Sequence, residues 1–122
     1  MTSKNSQNNE LENVRPWGRY DILETSDKHQ VKRITIFPGQ RNSYQTHKFR
    51  TEHWIVIEGV CRTTLNDVES DHGPGSVIEV PATMKHRYGS ANDEQCVLIE
   101  VQTGTYFGED DIVRLEDDYS RL

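Results

Sequence analysis

Four side chains between Gln45 and His86 have the types and spacing of a metal site. Gln45 and His47 are two residues apart, so on a β-strand both side chains point to the same face. Glu52 follows His47 by five residues across an apparent bend, and antiparallel pairing would bring the two opposite each other. His86 comes much later, after a proline-containing turn. Together, two imidazoles, a carboxylate and an amide oxygen offer the N and O donors that zinc, manganese, iron or nickel accept.

The segments that carry these residues have the composition of short β-strands. Runs rich in β-forming residues alternate with clusters of Gly, Pro, Asn and Asp, which is typical of an all-β sandwich or barrel. The predicted strands are 19–23, 29–37, 42–47, 52–58, 60–66, 76–80, 86–90 and 96–103. The acidic segment from Glu109 to Leu122 is predicted to form a last strand or a short helix against the barrel, with its aspartates exposed to solvent.

The size and charge of the chain limit its organisation and its partners. Its 122 residues suit a single domain, predicted as a loosely attached or disordered tail at 1–13 and a folded domain at 14–122. The formal net charge is −6 and the basic residues are scattered, which argues against nucleic acid as a partner. Because there is neither a membrane-length apolar run nor a secretory signal, we expect no membrane partner and a cytoplasmic location. Cys61 and Cys96 lie in strand-like runs and are predicted to be buried thiols.

The spacing around the candidate ligands resembles the two sequence motifs of the cupin family. The residues that match the first motif, with Gln in place of its first His, are Gly39, Gln45, His47, Glu52 and Gly59. The residues that match the second motif are Gly75, Pro81 and His86. The resemblance implies a single cupin domain, a double-stranded β-helix or jelly-roll-like barrel. It also implies that the four candidate ligands converge on one divalent metal ion, zinc first, with manganese, iron, nickel or cobalt as alternatives.

Longer segments resemble the C-terminal cupin domain of type II phosphomannose isomerases, which are often fused to a mannose-1-phosphate guanylyltransferase. The segments that carry this resemblance are 15–18, 31–34, 50–54, 99–104 and 106–114. Gln at the first ligand position is usual in that family. The chain as given has no guanylyltransferase segment, so the resemblance does not imply nucleotide-sugar synthesis.

The resemblance implies an aldose–ketose isomerase that interconverts mannose 6-phosphate and fructose 6-phosphate through an enediol(ate). Glu100 and Arg50 are the predicted catalytic residues, and Gln102, Lys32 and Arg87 are predicted to bind the phosphorylated sugar. Strand alternation puts Glu100 and Gln102 on one face, where Glu100 would act as the base if that face points inward. Alternatively, Glu100 is the structural partner of an arginine.

The remaining cations are less constrained by the pattern. Only one of the neighbours Lys32 and Arg33 can point inward, and alternation sends Arg87 away from His86. His53 alternates away from Glu52 and is expected at the surface or an interface.

Two other functions remain open at this point, a cupin dioxygenase and a non-catalytic, metal-containing cupin that binds a sugar or sugar phosphate. Thr83 and Ser90 depart from residues that cupins commonly have, Gly and Asn respectively. Small barrels with exposed strand edges often pair, so a homodimer is expected.

Overall fold

The chain forms two antiparallel β-sheets. The structure, a computed structural model, describes residues 13–121, so all but the last residue of the predicted tail lies outside the described part. The strands are β1 Val14–Arg15, β2 Gly18–Thr25, β3 His29–Ile36, β4 Tyr44–Thr46, β5 Arg50–Glu58, β6 Cys61–Leu65, β7 Val68–His72, β8 Val77–Val80, β9 His86–Ser90, β10 Cys96–Gly104 and β11 Val113–Glu116. A 3₁₀ turn, Glu109–Asp111, precedes β11.

The two sheets enclose one core. One sheet has the strand order β1-β2-β3-β10-β5-β8 and the other has the order β11-β4-β9-β6-β7. Buried side chains of both sheets form a single cluster, which includes Ile34, Trp54 and Leu98 from the first sheet and Cys61 and Tyr88 from the second. The predicted all-β barrel is therefore confirmed. Between residues 13 and 121 there is no helix that is long and apolar enough to cross a membrane.

Every second residue of a central strand points into the barrel. Along one such strand the inward residues are polar at one end and apolar at the other. In β5 the inward residues are Arg50, Glu52, Trp54 and Val56, each at most 5% exposed. Burying a Trp or Val side chain contributes about 1.5–3 kcal/mol. The apolar end of the strand thus anchors the polar end, where Arg50 and Glu52 face the same interior.

The hairpin of β6 and β7 was only half predicted. The sequence predicts the strand at 60–66 and a turn at Asn66-Asp67, but it gives no strand after that turn. In the structure Asn66 and Asp67 both have positive φ (46° and 72°), as the central residues of a type I′ hairpin turn do. β7 then pairs with β6 from Val68↔Leu65 onward. It was missed because its residues are mostly exposed, so they lack the apolar alternation that marks a half-buried strand.

The C-terminal segment forms a strand, one of the two predicted alternatives. β11 pairs antiparallel with β4. The prediction of exposed aspartates was wrong for Asp111, which is 9% exposed and accepts hydrogen bonds from the backbone amides of Lys48 and Phe49 at 3.1 Å. Asp111 therefore ties this segment to the loop between β4 and β5. The predicted burial of Cys61 and Cys96 is confirmed.

Candidate metal centre and active-site cavity

Three side chains from different parts of the chain meet inside the barrel. One ligand atom each of His47, Glu52 and His86 lies within 4.8 Å of the others, and all three residues are buried. Gln45, 8% exposed, lies directly opposite His86 in the pairing of β4 with β9. The structure thus gathers three of the four predicted ligands and places Gln45 opposite one of them in the ladder.

The hydrogen bonds of His86 leave one ring nitrogen available. Nδ1 lies 2.9 Å from the carbonyl oxygen of Met84, so Nδ1 carries the proton and donates it. Nε2 is buried and has no hydrogen-bond partner among the described residues. In this tautomer Nε2 presents a lone pair, and a histidine held through its other nitrogen by a carbonyl is the usual arrangement of a metal ligand. The site therefore fits a divalent cation.

Glu52 is held by donors on both carboxylate oxygens. Trp54 Nε1 donates to Oε1 at 2.9 Å, and Arg50 Nε donates to Oε2 at 3.0 Å. Burial alone would raise the pKa of Glu52. Attraction to His86 when that ring is protonated, a hydrogen bond with Glu100, and attraction to protonated His47 and to Arg50 outweigh burial and hold that pKa below its usual range. Glu52 is therefore ionised, as a carboxylate ligand must be.

His47 is neutral at physiological pH. Burial lowers its pKa from 6.5 to about 4, and the positive charge of Arg50 contributes to the decrease. Its Nε2 lies 3.1 Å from Arg50 Nη2, which donates, and 3.3 Å from Glu52 Oε2. A neutral imidazole is the form that binds metal, and an ion bound at Nε2 would take the lone pair that now accepts from Arg50.

Glu100 and Gln102 face the same interior from the neighbouring strand β10. Strand alternation predicted that they share one face, and the structure shows that this face points inward. They are 4% and 0% exposed, and Gln102 Nε2 donates to Glu100 Oε1 at 2.8 Å. Burial and the adjacent charge of Glu52 raise the pKa of Glu100 well above its usual value. The pKa values of the two carboxyls are thus shifted in opposite directions, a separation that like charges in a shared site favour.

The alternative role for Glu100 was an ion pair with an arginine. In the part of the chain that the structure describes, Glu100 has no such ion pair. No arginine in residues 13–121 lies within ion-pairing distance of its carboxylate oxygens. Arg50, whose charge attracts Glu100 from a longer distance, is hydrogen-bonded to Glu52 and is buried with it.

Of the two cations predicted to bind substrate, one points into the barrel and the other lies outside the cavity. Lys32 points inward and is 5% exposed, whereas its neighbour Arg33 is exposed. Arg87 is buried on the opposite face of β9 from His86, where its Nε donates to the carbonyl oxygen of Asn42 at 3.1 Å. It lines a separate groove with Arg41. The structure therefore does not bring Arg87 to the cavity, for the reason that strand alternation gives.

A cavity of about 50 Å³ adjoins the candidate ligands Gln45 and Glu52 and the carboxyl of Glu100. This volume has room for a few water molecules. Besides the predicted residues, the side chains around it are Arg15, Trp17, Tyr20, Ile34, Asn42, Ser43, Tyr88, Glu109, Ile112, Arg114 and Arg121.

Sequence reasoning missed the arginines among them. Arg15 precedes Pro16 in a predicted turn, and Arg114 and Arg121 lie in a segment interpreted as an exposed acidic end. The available signal was alternation at the start of β11, where Arg114 and Ile112, the residue just before the strand, both line the cavity. Without the register between β11 and β4, alternation alone does not say which face is inward.

Comparison with known proteins identifies the family of the chain. The sequence model of the family described as "Mannose-6-phosphate isomerase C-terminal" matches residues 2–117. The chain belongs to this family. The resemblance seen in the sequence is thereby confirmed.

Two curated relatives extend the match. Over 108 residues the chain is 42% identical to mannose-1-phosphate guanylyltransferase ManC of Salmonella typhimurium, covering 88% of this chain and 22% of ManC. Over 113 residues it is 42% identical to the alginate biosynthesis protein AlgA of Pseudomonas aeruginosa, covering 93% of this chain and 24% of AlgA. The chain thus spans about a quarter of the length of these relatives.

A solved structure supports the fold independently. The cupin-like protein from Thermotoga maritima superposes with a TM-score of 0.72 at 24% identity, covering 81% of this chain and 76% of that protein. This likeness establishes the cupin barrel.

Proposed function

We propose that this chain is a metal-dependent aldose–ketose isomerase that interconverts mannose 6-phosphate and fructose 6-phosphate through an enediol(ate). The observation that carries the proposal is the gathering of His47, Glu52 and His86 beside the buried carboxyl of Glu100, in a chain of the mannose-6-phosphate isomerase C-terminal family. Isomerisation moves a proton between adjacent carbons of the open-chain sugar. It therefore needs a proton-carrying group and a means of stabilising a developing negative oxygen.

The residues that would hold the metal are Gln45, His47, Glu52 and His86. These donors suit one divalent ion, with zinc as the first expectation and manganese, iron, nickel or cobalt as alternatives. When bound, such an ion polarises the sugar carbonyl and stabilises negative charge on its oxygen. Because Gln45 is neutral, the set adds only one negative charge, that of Glu52, and leaves the ion more electrophilic than two carboxylates would.

Glu100 is the proposed proton carrier. Its raised pKa brings the carboxyl closer to the pH at which the enzyme works, which is the condition for efficient proton transfer. Gln102 donates to Oε1 of Glu100 and so fixes the orientation of the carboxyl. Arg50, bonded to both His47 and Glu52, keeps a permanent positive charge at the reacting end of the cavity.

The direct test follows fructose 6-phosphate formation from mannose 6-phosphate by the metal-loaded protein. His47→Ala should abolish turnover and lower the bound metal. The matched control is His53→Ala, because the His53 side chain is 43% exposed and points away from Glu52. Retention of turnover by His47→Ala, or equal losses in both variants, would contradict the proposed site.

The domain may be tested without a guanylyltransferase partner because its cavity is formed within residues 13–121. If the wild-type protein shows no turnover with any of the five metals named above, the isomerase assignment is wrong. Binding of mannose 6-phosphate without turnover would instead favour a sugar-phosphate-binding cupin. Oxygen consumption by the iron-loaded protein would favour a dioxygenase.

A further inference from the structure

Five cationic side chains line the cavity, and four of them are engaged with neighbouring groups. The five are Arg15, Lys32, Arg50, Arg114 and Arg121. Arg50 donates to Glu52 at 3.0 Å, Arg121 donates to Asp117 at 2.9 Å, and Lys32 lies 3.4 Å from Glu109. Arg15 donates to the hydroxyl of Tyr20 at 3.2 Å. These contacts fix the positions of four of the cations.

Arg114 differs from the other four. It lies in β11 directly opposite Gln45 of β4, and paired residues in an antiparallel ladder project to the same face. Its side chain is exposed, and it has no hydrogen-bond or ion-pair partner in residues 13–121. An arginine that borders the cavity without a partner has its donors available for a ligand.

We propose that Arg114 binds the phosphate group of the substrate at the mouth of the cavity. This inference rests on the proposed function, since it assigns one end of the same sugar phosphate. A guanidinium presents two parallel N–H donors that match two phosphate oxygens, and such charge-assisted pairs are stronger than neutral hydrogen bonds.

The size of the cavity supports this orientation. The reacting carbons, C1 and C2, lie at the opposite end of the open-chain sugar from the phosphate on C6. A cavity of about 50 Å³ has room for the reacting end beside Gln45 and Glu52, while the phosphate remains at the exposed mouth. Arg114 is exposed there, whereas Arg50 and Lys32 are each 5% exposed and lie deeper.

Three acidic residues line the cavity, and they do not oppose this assignment. Glu52 is paired with Arg50 at 3.0 Å, and Glu100 is buried beside it at 4% exposure, away from the exposed Arg114. Glu109 lines the cavity, and its charge is balanced by Lys32 at 3.4 Å.

The sequence predicted Arg87 as a substrate-binding residue, but Arg87 lies outside the cavity. The proposal assigns phosphate binding to Arg114 of the C-terminal strand instead.

The test is the change Arg114→Gln, with Arg33→Gln as the matched control. Both changes remove one arginine charge from an exposed strand position, but Arg33 lies on the outer face of β3. Losing a hydrogen-bonded pair with a charged group should raise the KM and the Kd for mannose 6-phosphate by about tenfold to a hundredfold. The same change should leave kcat within about threefold, because the interaction is made equally in the ground and transition states. Arg114→Lys should fall between wild type and Arg114→Gln, since lysine keeps the charge but not the paired donors.

Each protein is titrated calorimetrically with mannose 6-phosphate and, separately, with unphosphorylated mannose. These titrations measure phosphate binding without turnover, so they test the role of Arg114 separately from the isomerase activity. Loss of mannose 6-phosphate binding in Arg114→Gln supports the inference even if the wild type shows no turnover. An unchanged Kd in Arg114→Gln, or an equal loss in Arg33→Gln, would overturn it. It would also be overturned if the wild type bound the two sugars with equal affinity or bound neither.

Discussion

The cavity has two walls that are built differently. The wall formed by β5 and β10 carries Glu52 and Glu100, which are 2% and 4% exposed and are bonded to neighbouring side chains. The wall formed by β11 carries Arg114, which is exposed and has no partner within the described part of the chain. A group that must act at a fixed distance from reacting atoms gains from being held, whereas a group that anchors the far end of a ligand needs free donors. We therefore expect the wall of β5 and β10, called the chemical wall below, to carry out proton transfer, and the wall of β11 to hold the far end of the substrate.

The largest effect is expected from Glu100→Gln on the chemical wall. The change is nearly isosteric and replaces a carboxyl whose charged form is disfavoured by burial with a neutral amide, so the fold and the bound metal should be retained. Removing a general acid–base group should lower kcat by about 10²–10⁴-fold. Steady-state kinetics together with metal analysis check this. A kcat equal to that of the wild type would exclude Glu100 as the proton carrier.

Glu52→Gln, a change in the same wall, should lower the free energy of unfolding of the protein. The change leaves Arg50 buried without its counter-charge, and breaking a buried pair from one side costs about 3–5 kcal/mol. Arg114→Gln on the other wall should change the free energy of unfolding by less than about 0.5 kcal/mol, as exposed substitutions do. Urea unfolding of the metal-free proteins measures both. Equal changes in the two variants would remove the distinction between the walls.

The chemical wall should also make the metal-free protein less stable in mild acid. The pKa of His47 is about 4 in the fold against 6.5 ordinarily, so protons bind preferentially to the unfolded chain between these values. This contribution to stability is intact above pH 6.5 and decreases as the pH falls toward 4, by up to about 3 kcal/mol. Urea unfolding at pH 7.5 and pH 4.5 measures the difference. It should shrink in His47→Gln and persist in His53→Gln.

The smallest effect is expected from Trp54→Phe. Phenylalanine keeps most of the packing but removes the indole donor to Glu52 Oε1. Loss of such an outer contact typically lowers metal affinity or activity by about 10–100-fold. Competition with a chelator measures the affinity. An affinity equal to that of the wild type would show that the indole hydrogen bond does not help to hold the carboxylate for the metal.

The parts of the site that share a strand with an obvious apolar pattern were predictable from the sequence. Glu100 and Gln102 follow the buried Leu98 at intervals of two, and the structure places all three inward. The contribution of β11 was not predictable, since its inward face depends on pairing with β4, far away in the chain. Asp111 was misjudged for a related reason. Its partners are backbone amides of the β4–β5 loop, and sequence composition carries no information about them.

The two tryptophans give the barrel an optical property. Trp54 donates to Glu52 and lies edge-on to His86, with ring centroids 5.8 Å apart, and Trp17, 6% exposed, lines the cavity. The chain has no other tryptophan. All indole emission therefore originates beside the candidate metal centre. Manganese, nickel or cobalt bound there would quench the emission through their open d shells, whereas zinc, with a filled shell, would leave it bright, so one fluorescence titration distinguishes zinc from these three metals without any label.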